Sequence, residues 1–102
     1  MDAAVSRNGV PIRLTEERWF HIVENHDEMA GHYDEVLSAI EDPDYIIQGY
    51  REALVALKSL GGKKFMAVIY KESGKRDGFV ITAFLTSKVR IEKEVILWQK
   101  KS

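Results

Sequence analysis

At 102 residues, with 45% hydrophobic and 30% charged side chains, the chain has the size and balance of one soluble domain, 1–102, with a single core. It has no cysteine, which excludes disulfides, thiolate catalysis and Cys-ligated zinc. A formal net charge of −1 argues against a nucleic-acid binder, yet residues 1–50 hold three Lys+Arg against eleven Asp+Glu (−8) and residues 51–102 hold twelve against five (+7).

That asymmetry suits a basic surface for a phosphate-bearing partner, or two halves that neutralise each other in the fold. The N-terminal MDAAVSRNGVPIRL lacks the apolar run of a signal peptide, and no segment approaches the roughly 20 apolar residues of a membrane helix. A soluble, cytoplasmic protein without membrane contact is expected.

In chain order, Thr15 is a plausible N-cap, with Glu16 and Glu17 complementing the helix dipole in the first turn. Trp19, Ile22, Val23 and His26 recur at i, i+3, i+4 and i+7, so a helix is predicted from about Glu16 to Met29, ending near Gly31. Val36, Leu37 and Ile40 predict a second helix from about Tyr33 to Glu41, which Pro43 stops. The stretch EDPD reads as a turn, with Asp42 and Asp44 as turn formers.

Apolar residues then thicken into a strand from about Glu52 to Leu60, and Gly61-Gly62 in SLGGKK supplies a hairpin turn. KFMAVIYKE is the next strand, SGKRDG the next turn, GFVITAFLTSK the third strand, and EVILWQ a fourth. Helices first and hairpin-linked strands afterwards predict an α+β fold: two N-terminal helices packed on one face of a four-stranded antiparallel sheet. The other sheet face would then be open.

Strand alternation puts Thr82, Phe84, Thr86 and Lys88 on one face and Ile81, Ala83 and Leu85 on the other. The polar row, spaced by about 7 Å, is either the floor of a site or a set of solvent-facing β-formers. His21 and His26 are five residues apart. On a helix that separates them by about 140°, so they cannot share a metal as an i, i+4 pair would. His26 ends the apolar stripe, a place that suits general acid–base work or a histidine satisfied by a backbone carbonyl. No phosphate loop, GxSxG, HExxH or EF-hand pattern is present. Lys63, Lys64, Lys75 and Arg76 sit in basic turns that read first as solvated hairpin tips.

Together, LTEERWFHIVENHDEM, EVLSAIEDPDYI, KKFMAVIY and GFVITAFLTSK resemble phage and bacterial toxin-like members of the barnase/EndoU/colicin/RelE-like nuclease superfamily, over about Ile12 to Trp98. The resemblance implies a RelE/barnase-like arrangement of helices on an antiparallel sheet and a metal-independent ribonuclease with no cofactor. The W-x-x-I-x-x-x-H pattern is Trp19 through His26, with His21 and Glu28 beside it, and T-A-x-x-T-x-K is Thr82 through Lys88. Arg51 opens the first predicted strand, where relatives place a basic or polar residue. The chain departs from the well-studied ribonucleases in lacking a strand-borne histidine and their Glu–His pair.

On that resemblance His26 is the acid or base, with His21 second. Arg51 and Lys88 would stabilise phosphate charge, while Thr82 and Thr86 would hydrogen-bond phosphate oxygens. Phe84 or Tyr70 would stack on a base, and Lys58 and Lys64 would add charge for the substrate. RNA is the expected partner, with an antitoxin or other neutralising protein as a second. The rival readings are a non-catalytic RNA- or protein-binding module and a phage- or plasmid-borne structural domain. Val95 to Trp98, apolar on both sides of a strand, predict a homodimer.

Overall fold

The computed structural model describes residues 2–101. Its elements, in chain order, are β1 Asp2–Val5, β2 Pro11–Leu14, α1 Glu16–Asn25, α2 Tyr33–Glu41, β3 Tyr45–Gln48, β4 Leu54–Ser59, β5 Phe65–Glu72, β6 Gly78–Thr86 and β7 Ile96–Gln99. One sheet holds all seven strands in the order β1-β2-β6-β5-β4-β3-β7. Every pair is antiparallel except β2 with β6, which run parallel through Ile12↔Gly78 and Arg13↔Phe79.

The α+β class stands, but the four-stranded antiparallel sheet of RelE/barnase type does not: the sheet is seven-stranded and mixed, with two helices. Three strands account for the difference. β1 and β2 form a hairpin across Ser6-Arg7-Asn8-Gly9, where Gly9 takes φ 81°. The Gly9 amide donates to the Ser6 carbonyl, and the Ser6 amide to that of Val10. β3 is the short YIIQ run, and β7 returns to pair with it rather than extending the meander beside β6.

β5 is the central strand and is buried on both faces. Met66, Val68 and Tyr70 point towards the helices, into a core shared with Ile12, Ile22, Val36 and Ile40. Phe65 and Ala67, on the alternate face, form a second core with Ile47 and Leu57. Val89 and Ile91, from the segment after β6, pack over that second core, so this end of the far sheet face is covered rather than open.

α2 lies against β1, β4 and β5, and α1 against β6. Tyr33 Oη, at the start of α2, donates to Asp2 Oδ2 (2.8 Å) and the Leu14 carbonyl. At the other end of α2, Asp42 accepts from both Lys58 and Lys100 Nζ, and these two cations hold its carboxyl below the ordinary range. The Arg7 guanidinium lies 4.7 Å over the Trp98 ring, a contact between the β1–β2 turn and β7.

Candidate functional site

β6 pairs with β2 only through Gly78 and Phe79; β2 ends at Leu14 and the chain turns into α1. α1 and the 3₁₀ turn Asp27–Met29 therefore take the place of a strand beside the rest of β6. The Thr15 Oγ1 cap accepts from the Arg18 amide at 3.1 Å. α1 ends at Asn25, four residues before the sequence-predicted end, and His26 becomes its C-cap with φ −137°.

That termination decides the site. The 140° separation holds only while both histidines are helical. Because the chain leaves the helix at His26, both imidazoles line one cleft of about 460 Å³ with Arg18, Asn25, Ile81 and Thr82. Arg18, His21, Ile22 and Asn25 share one helix face through i, i+3, i+4 and i+7 spacing. Arg18 and Asn25 lie off the apolar stripe through Trp19 that marks the helix; their spacing to His21 and Ile22 is the sequence signal that places them at the cleft.

The His26 ring stacks at 5.4 Å on Phe84, tilted by 33°, so Phe84 supports the imidazole. Glu28 Oε2 lies 3.8 Å from His26 Nδ1. Asn25 Nδ2 donates to the His21 carbonyl at 2.8 Å, fixing the end of the helix.

Strand alternation is interrupted at the cleft. Opposite Ile69 and Tyr70 stand Thr82 and Val80, leaving Ile81 as the extra residue of a β-bulge. Ile81 therefore does not share a face with Ala83 and Leu85: it lines the cleft beside Thr82 and also a second, apolar pocket of about 330 Å³. That pocket is bounded by Tyr50, Arg51, Val55, Ile69 and Lys71. Arg51 thus lines a pocket that shares Ile81 with the histidine cleft. It sits in the β3–β4 turn, not at the opening of a strand.

Other sequence-predicted residues lie elsewhere. Tyr70 is fully buried on the helix side of β5 and cannot stack on a base. Lys58 points to the helix side and donates to the Asp42 carbonyl and carboxylate. Lys64 is in the exposed β4–β5 turn, its backbone closing that turn with Leu60. Thr86 Oγ1 accepts from the Lys88 amide at 3.1 Å, and Lys88 is exposed beyond the end of β6 without lining the histidine cleft.

Arg13, Lys58, Arg90 and Lys100 pair with carboxylates. The cations lining the cleft and the adjoining pocket, Arg18, Arg51 and Lys71, are among the many that form no ion pair among the described residues. No three His, Asp or Glu side chains among the described residues gather as metal ligands. Among the described residues no helix is long and apolar enough to cross a membrane. Comparison with protein-family models, with curated proteins and with solved structures finds no match to this chain.

Proposed function

We propose that the chain is an endoribonuclease that cleaves RNA by side-chain acid–base catalysis, with its site in the cleft between the end of α1 and β6. The observation that supports this reading is the convergence of two imidazoles, a hydroxyl and an unpaired guanidinium in one open cleft: His21, His26, Thr82 and Arg18. Imidazole changes protonation near neutral pH, and a pair can supply a base and an acid in the same turnover.

His26 is the base. With Nδ1–H towards the Glu28 carboxylate, the neutral ring keeps Nε2 free to take a proton from the ribose 2′-hydroxyl. The 2′-oxygen attacks phosphorus, the bond to the 5′-oxygen breaks, and His21 delivers the proton that the leaving oxygen needs. The products are a 2′,3′-cyclic phosphate and a free 5′-hydroxyl. Arg18 offsets the growing charge on the phosphate oxygens and Thr82 Oγ1 donates to one of them. Arg51 approaches from the neighbouring pocket.

The test is incubation of the purified protein with total RNA in excess EDTA, beside His26→Ala and Thr82→Ala. Cleavage that falls at least 100-fold in His26→Ala, as for loss of a general base, supports the reading. Equal cleavage by wild type and His26→Ala sinks it. Retained RNA binding without cleavage would instead leave a non-catalytic RNA-binding module.

A further inference from the structure

The pocket beside the histidine cleft has a floor of aliphatic side chains, Val55, Ile69 and Ile81, and a rim of Tyr50, Arg51 and Lys71. Tyr50 is 81% exposed, unusual for a large aromatic side chain that packs on nothing deeper than the Arg51 guanidinium, 5.4 Å from its ring centre. The turn that carries them is held in an unfavourable form. The Ala53 amide donates to the Tyr50 carbonyl, with Arg51 at φ 52°, ψ 50° and Glu52 at φ 67°. These are the angles of a type I′ turn, whose two central positions favour Asn and Gly. Two L-residues with long side chains hold this left-handed form against the clash of their Cβ atoms with the backbone.

We propose that this pocket seats a nucleobase, one nucleotide away from the phosphate held in the histidine cleft; the inference rests on the ribonuclease reading above. Three features select that occupant. The floor is apolar and the rim offers two flat faces, a phenol and a guanidinium, which suit a planar ring. The charges on the rim are positive, with no carboxylate lining the pocket, which suits a ring that carries phosphates. Position supplies the third: Val55, Ile69 and Thr82 stand on one rung of three adjacent strands. One to two strand spacings put the pocket floor, Ile69 to Val55, about 5 to 10 Å from Thr82, a span one nucleotide bridges.

The experiment is fluorescence anisotropy with a labelled 2′-O-methyl RNA hexamer, which has no 2′-hydroxyl to react, and with an abasic sugar-phosphate hexamer of the same length. Tyr50→Ala is expected to weaken binding of the base-bearing hexamer about tenfold and to leave the abasic hexamer unchanged. Unchanged affinity for both, or an equal loss for both, overturns the pocket assignment. If wild type still cleaves RNA through His26 in that case, the ribonuclease reading survives without it. If wild type neither binds the hexamer nor cleaves RNA, both fall. Tyr50 is exposed, so its removal leaves the core intact; an unchanged circular dichroism melt verifies this.

Discussion

Single residues carry most of the difference between a plausible site and the one in the structure. His26 is the clearest case: its place in the sequence-predicted helix put it across the axis from His21, and ending the helix at Asn25, just before His26, puts both in one cleft. Tyr70 moves the other way. Its ring is fully buried, and its Oη has no hydrogen-bond partner among the described residues. Burial, with the Glu72 charge, pushes the phenol pKa up. A buried polar group without a partner costs about 1–3 kcal/mol, so Tyr70→Phe is expected to stabilise the fold by about 1 kcal/mol in urea unfolding at pH 7. The pH dependence has a definite sign. With the folded pKa above the unfolded value near 10.0, stability from Tyr70 is complete below pH 10 and is lost as pH rises above it. Tyr70→Phe should therefore widen its advantage above pH 10; a destabilised variant would mean that Tyr70 Oη has a partner.

Among the elements, the two helices, the β4–β5 and β5–β6 hairpins and the last strand were legible, because period, caps and Gly-Gly are local signals. The N-terminal hairpin was also legible in principle: Asn8-Gly9 between two apolar stretches is a strong hairpin signature. It passes unread because each flanking strand has only four residues. The parallel junction of β2 and β6 rests on Gly78. A Cβ there would lie 2.5 Å from Ile12 Cδ1 and 2.6 Å from the Lys71 carbonyl oxygen. The carbonyl cannot swing aside without breaking the sheet, so Gly78→Ala should cost about 1–3 kcal/mol. Gly74→Ala, in the adjoining turn with open space around it, should stay within about 0.5 kcal/mol. Equal unfolding midpoints for the two variants would refute the close-packing account.

For the whole molecule, part of the charge asymmetry is neutralised within the fold. Asp42 from the acidic half binds Lys58 and Lys100 from the basic half, while Arg18, Arg51 and Lys71 form no ion pair among the described residues. The seven-stranded order leaves β7 at one edge, with Val95 59% and Leu97 51% exposed. An unpaired apolar edge invites another strand, and we propose a second copy of this chain as its partner. Sedimentation equilibrium across a concentration series should show a mass rising from one chain to two. A mass of one chain at every concentration removes the dimer.

The sequence by itself determined the Thr15 helix cap, the strand turns, the alternation of central strands and the presence of His21, His26 and Thr82, because these depend on neighbours within a few residues. Only the tertiary structure decided which strands pair with β3 and β6, where α1 stops and how the bulge at Ile81 redirects the strand face. Those choices depend on contacts between residues far apart in the chain, such as Ile12 with Gly78 and Ile46 with Trp98. No local pattern encodes the competition between such pairings; it is settled by which arrangement buries both faces of β5 at once.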